Sequence, residues 1–147
     1  LAFYFIKMAD VNCVWTRAES GRLCRNESSQ PNLVECIVCN EHVQVYYYCL
    51  NDHKTCINCM ERHFINECGK MNSQFTEYIT GQIDHINKFK LVCCPLLRAC
   101  DYNIDNMFDV LSLLREKSIS TRTASIIFKT KQHVDRAIGH AIARRIR

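Results

Sequence analysis

The 147-residue chain holds two prolines and four glycines, too few for a long disordered linker. It also lacks any apolar run near the roughly 20 residues that a bilayer-spanning helix requires. The opening LAFYFI is apolar for six residues, short of a signal-peptide core. These absences predict a soluble, folded protein. No cysteine follows Cys100, so nothing beyond that point can serve as a thiol nucleophile. The first residue is Leu and a Met follows at position 8, which leaves open a fragment or a translation begun upstream of the true start.

What the chain has in excess is cysteine, eleven in all, in a sequence that is 48% hydrophobic. Five of them fall in CIVCNEHVQVYYYCLNDHKTCINC, from Cys36 to Cys59. The order is C-x2-C (Cys36, Cys39), then C-x3-H (Cys49, His53), then C-x2-C (Cys56, Cys59). Eleven cysteines fit either a disulfide framework or metal binding. Paired sulfurs with a histidine at ligand spacing between them favour tetrahedral zinc, which selects thiolate and imidazole. Zinc-bound thiols in turn imply a reducing compartment, cytosol or nucleus. Charge is divided unevenly: from Arg115 onward nine basic residues face Glu116 and Asp135, so this segment carries +7 and the remainder −3.

The remaining chain reads around that stretch. Residues 1–33 form a lead-in of uncertain structure, with Cys13 and Cys24 read as buried or free thiols or, failing that, as ligands lacking two partners. VQVYYY (43–48) is rich in β-branched and aromatic residues and predicts a short strand with packing tyrosines. Ile57, Met60, Phe64 and Ile65 fall at helical spacing, so a short helix starts there, with His63 an alternative ligand. An insertion over 60–92 has a mixed helical and loop pattern. Ile104, Met107, Phe108, Leu111 and Leu114 predict an amphipathic helix capped near Asp101 or Asn103. Val134, Ile138, Ala141, Ile142 and Ile146 mark another, whose far face carries Arg136, His140 and Arg144.

The order of the ligand types, closed by LVCCPLLRAC (91–100), resembles the RING family and, within it, the first RING of the RING-between-RING ubiquitin ligases. The likeness covers roughly residues 34–120. It implies a small α+β domain with an interleaved cross-brace of two structural zinc ions over 34–103, followed by a basic helical extension over 104–147. On this match Cys36, Cys39, Cys56 and Cys59 hold the first zinc, and Cys49, His53, Cys94 and Cys100 the second. The Pro after Cys94 favours it over Cys93 as seventh ligand, with a slipped arrangement through Cys93 as the alternative. The five residues between Cys94 and Cys100 exceed the usual family spacing.

The resemblance further implies recruitment of a ubiquitin-charged conjugating enzyme through Ile37, Val38, Met60, Pro95, Leu96 and Leu97. Where many stand-alone RING ligases carry an Arg after the eighth ligand, this chain has Asp101. Cys68 has no histidine at a spacing that would activate it, so no catalytic cysteine is expected. The competing expectation is a non-catalytic zinc scaffold subunit that assembles a protein complex through the basic C-terminal helix. A sequential nucleic-acid-binding finger built from Cys36, Cys39, Cys49 and His53 fits poorly, because two residues between His53 and Cys56 leave no room for a docking helix, and nucleic acid is not an expected partner.

Overall fold

Ligand pairs packed this closely leave room only for short strands, and the computed structural model has them. It describes residues 13–15, 24–27, 33–49, 51–96, 103–104, 107–115 and 119–146, with the backbone alone for 13–15, 24–27, 112 and 113. The strands are β1 (Cys13–Trp15), β2 (Cys24–Glu27), β3 (Val34–Glu35), β4 (His42–Val43), β5 (Val45–Tyr48), β6 (Lys54–Cys56), β7 (Leu91–Val92) and β8 (Asn103–Ile104). The helices are α1 (Ile57–Ile79), α2 (Met107–Arg115) and α3 (Thr121–Ile146). The result is a small α+β fold with short strands and C-terminal helices. Among the described residues no helix is long and apolar enough to cross a membrane.

Four strands form one antiparallel sheet in the order β1-β2-β5-β6. The tyrosine run lies in the middle of it, Tyr46 opposite Asn26 on one side and Cys56 on the other. Tyr47 is fully buried and Tyr46 nearly so, which makes them packing residues, as expected. β1 and β2 come from the lead-in, which therefore contributes half of this sheet. The side chains of Cys13 and Cys24 lie outside the described residues. β3 and β4 form a two-stranded ladder, and β7 pairs with β8.

α1 is longer than the short helix read from the sequence and takes up most of the insertion. Phe64, Cys68 and Tyr78 are buried along it, with half-buried Met71 packed against the same core. Spacings of four, seven and fourteen residues keep these side chains on one face. The helix ends where Gly81 adopts φ 81°. There Gly81 N–H bonds Tyr78 O at 3.2 Å and Gln82 N–H bonds Glu77 O at 2.8 Å, the two bonds of a Schellman ending.

α2 and α3 correct two sequence expectations. Ile104 lies in β8, fully buried, and not at the head of the helix. α2 turns Val110 and Asp109 inward and packs Met107 and Leu114 of the expected stripe against the core, while Phe108 and Leu111 are exposed, so only part of that stripe faces inward. α3 starts at Thr121, 13 residues before the recognised pattern, because Ser120 caps it. The Ser120 hydroxyl accepts the Thr123 N–H at 3.1 Å. The core-facing side of α3 is Thr123, Ala124, Ile127, Thr130, Val134 and Ala137, while Ile142 and Ile146 are exposed.

α1 and α3 run parallel and share the main core. Glu61 accepts the Ser120 N–H near both helix starts, and further along Phe75 stacks on His133 at 4.9 Å. α1 ends four residues past Phe75, whereas α3 continues 13 past His133. Its last turns therefore run beyond α1, which accounts for the exposed isoleucines. One cluster joins Tyr47, Met60, Phe64, Leu91, Cys93, Ile104, Val110, Ile127 and Val134. The C-terminal helices thus pack into the body that carries the cysteines and are not an appendage to it.

Candidate metal centre

A C-x2-C pair can aim two sulfurs at one point only if the backbone turns sharply between them. Here Asn40 N–H bonds Cys36 O at 2.9 Å, and Asn40 itself takes φ 62°. Asparagine tolerates that left-handed region better than most residues. The Cys36 N–H bonds Glu41 O at 2.8 Å, and Ile37 N–H reaches Lys54 O at 2.9 Å. These bonds tie the first knuckle to β6, whose last residue is Cys56. Cys56 is also the N-cap of α1, its sulfur accepting the Cys59 N–H at 3.4 Å.

The sulfurs of Cys36, Cys39, Cys56 and Cys59 consequently lie within 4.8 Å of one another. Cys39 Sγ and Cys56 Sγ are 3.9 Å apart. A tetrahedron with Zn–S bonds of about 2.3 Å has S···S edges of about 3.8 Å, so this group matches zinc in donor type and in scale.

A second tight turn makes the second group. Asp52 N–H bonds Cys49 O at 2.9 Å, Cys49 N–H bonds His53 O at 3.3 Å, and Asp52 sits at φ 61°. His53 Nδ1 then lies 3.3 Å from Cys49 Sγ and 3.5 Å from Cys94 Sγ. About 3.5 Å is the N···S edge expected for a zinc tetrahedron with bonds near 2.05 and 2.3 Å. Cys49, His53 and Cys94 are the described members of this group. Cys100, the expected fourth ligand, lies outside the described residues.

The electrostatics of the first group suit a cation. Burial raises the Cys36 thiol, but N–H groups of Cys56, Cys39 and Val38 pointing at its sulfur outweigh that and bring it down to about 6. Burial pushes Cys56 and Cys59 up; the sulfurs of Cys36 and Cys39 add to both rises, while Cys59 pulls Cys56 partly back. Without metal, the group holds one favoured thiolate beside thiols that resist a second negative charge. A divalent cation reverses that preference and releases their protons.

Other candidates fall outside both groups. Cys93 is buried in the main core with its thiol pointing at Leu91 O, 3.6 Å away, and burial raises it. Cys68 is fully buried between α1 and α3 and is likewise raised by burial. Neither is an accessible nucleophile. His63 Nε2–H donates to Val92 O at 2.7 Å, pinning α1 to the strand that leads into Cys94.

Of the expected partner-binding residues, Val38 and Leu96 are about half exposed, at 51% and 48%, and Ile37 is exposed as well. Pro95 is half-buried. Met60 is 1% exposed and belongs to the main core, so it is not available to a partner; its neighbours Tyr47 and Phe64 draw that face of α1 inward. Leu97 lies outside the described residues. Sequence reasoning passed over Asn40 and Asp52, whose left-handed turns close the two knuckles. The available signal was an Asn directly after C-x2-C and an Asp directly before the His.

Comparison of the chain with protein-family models, curated proteins and solved structures returned no match. What the molecule itself shows is two cysteine-rich clusters compatible with a zinc-binding module.

Proposed function

We propose that residues 34–103 form a RING-type module with two structural zinc ions, and that it recruits a ubiquitin-charged conjugating enzyme. The observation that carries this reading is the alternation of the two ligand groups. Cys36 and Cys39 go to one, Cys49 and His53 to the other, Cys56 and Cys59 back to the first, and Cys94 to the second. Independent fingers in series would keep each group local. In the proposed module Cys100 is the fourth ligand of the second site, which would close both tetrahedra and leave the metal to hold loops in place.

The protein's own surface then does the binding. Val38 sits within the first knuckle and Leu96 just after Cys94, and both leave substantial apolar area in water. Side chains so held by ligand turns are preorganised to be buried by a partner. The buried Cys68 and Cys93 make transfer through a thiol of the described residues unsupported, so the reading is recruitment without a covalent ubiquitin intermediate on this chain. Asp101, where many stand-alone RING ligases carry an Arg, favours cooperation with a separate catalytic domain.

The test is binding and discharge of charged conjugating enzymes. Val38→Arg is expected to weaken binding at least about tenfold, since a charge then enters an apolar contact, while zinc content stays unchanged. Undiminished binding by that variant contradicts the reading. Co-purification with protein subunits but no interaction with any conjugating enzyme favours the scaffold alternative.

A further inference from the structure

α3 carries its exposed charge along one ridge. Arg122, Lys129, Arg136, His140 and Arg144 follow one another at steps of seven, seven, four and four residues. At 3.6 residues per turn these steps stay within about 45° of one line. All five are exposed, and they are turned away from the core-facing Ile127, Thr130, Val134 and Ala137. The exposed residues between them on that side, Ser125, Gln132 and Ala143, carry no charge. The acid of α3, Asp135, lies off the ridge and is held by Lys131 at 3.0 Å. Among the described residues none of the ridge cations is in an ion pair.

The shape of this charge selects its partner. The 22 steps from Arg122 to Arg144, at about 1.5 Å each, make a straight row about 33 Å long. A folded protein partner is gripped chiefly through buried aromatic and aliphatic anchors, and the ridge offers none. Single-stranded nucleic acid is held on exposed aromatic platforms. Here Phe75 is stacked on His133 and Phe128 is half-buried against the core, and the exposed Phe108 belongs to α2 and not to the ridge. A row of cations without anchors fits a regular polyanion that asks only for charge. One turn of duplex DNA is about 34 Å long, close to the length of the row. The major groove of DNA, about 12 Å wide, accepts a helix, whereas that of duplex RNA is deep and narrow.

We propose that the basic ridge of α3 is a sequence-independent docking surface for the phosphate backbone of duplex DNA. This goes beyond conjugating-enzyme recruitment and does not depend on it, because the ridge and the ligand knuckles share no residue. The four permanent cations, Arg122, Lys129, Arg136 and Arg144, neutralise about four phosphates, and each contributes about −0.9 to the slope of log affinity against log salt.

The experiment is fluorescence anisotropy of the zinc-loaded full chain with a labelled duplex about two helical turns long. Parallel titrations use single-stranded DNA, duplex RNA and polyglutamate. The expected slope is about −3.6, a loss of about 150-fold in affinity between about 50 and 200 mM salt. Arg136→Gln with Arg144→Gln, which keeps helix propensity, should halve the slope with unchanged helicity and zinc content. Lys88→Gln with Lys90→Gln, exposed basic residues off α3, should leave it unchanged. A slope indifferent to the ridge pair overturns the proposal. So does binding to single strands, duplex RNA or polyglutamate as tight as binding to duplex DNA, the last pointing instead to an acidic protein.

Discussion

Around the first ligand group the buried side chains are Cys36, Cys56 and Cys59, with half-buried Val43 packed against them, and around the second they are Cys49 and Cys94. By contrast, thirteen buried residues from Tyr47 to Val134, drawn from β5, β7, β8, the three helices and the segments between them, form a continuous apolar core. The helical region has enough apolar contact to hold itself together. The knuckles do not, since a few sulfurs and one valine bury little hydrocarbon. On the proposed zinc-binding reading, the difference teaches that one part of the molecule relies on metal for its fold and is joined to another that does not. The joint is Cys56 to Cys59, where the last ligands of the first group are also the cap and first turn of α1.

The largest effect should come from removing metal. By zinc-finger precedent each structural site contributes about 10–16 kcal/mol at neutral pH. Hydrogen exchange after chelation should show the knuckle segments 34–43 and 49–56 losing protection while Phe64 to Tyr78 and Ile127 to Ala137 keep most of theirs. Uniform loss across both parts would erase the distinction. Next in size is Phe64→Ala in the helical core, expected to cost about 3–5 kcal/mol in thermal or denaturant melts with zinc stoichiometry intact. Zinc loss in that variant would mean that the core builds the knuckles.

Proton release separates the two parts further. Without metal, the Cys36 thiol sits below its ordinary value, at about 6, and is already a thiolate at neutral pH, while Cys56 and Cys59 remain protonated. Because its folded value is depressed, Cys36 adds stability above its unfolded pKa, and that stability falls away as pH drops through about 6. Zinc affinity should therefore rise with pH from about 6 to 8, with protons released from the raised thiols, as titration in weakly buffered indicator would show. A smaller effect is expected at the end of α1, where Gly81→Ala should cost about 1–2 kcal/mol by forcing a Cβ into a left-handed conformation. Smallest is Thr55→Val: the buried Thr55 hydroxyl has no hydrogen-bond partner among the described residues, so the variant should melt no lower than the parent.

How legible these parts were in the sequence follows from the same physics. The knuckles are local: ligand spacing, a β-prone tyrosine run and the residue after each pair act within a few positions, whereas the grouping of Cys36 and Cys39 with the distant Cys56 and Cys59 came from the resemblance to the RING ligand order and not from spacing alone. The closing element was half legible, Cys94 joining Cys49 and His53 as the proline had pointed. The helices depend on long-range contact, and periodicity alone misled there. Met60 and Phe64 have the spacing of a partner-facing stripe and equally of a core, and only packing against Tyr47 and Leu91 decides for the core. Phe108 and Leu111 look like an inward face, yet Val110 takes that role once Ile104 is drawn into β8. Ser120, a single capping hydroxyl, set the start of α3 without any apolar signal.

The most direct test of the account is native mass spectrometry of the purified chain and of two variants, Cys36→Ser and Cys49→Ser. Two separate closed sites predict two zinc ions per chain, falling to one in each variant. A chain that carries no zinc, or whose paired sulfurs are joined as disulfides, would contradict it.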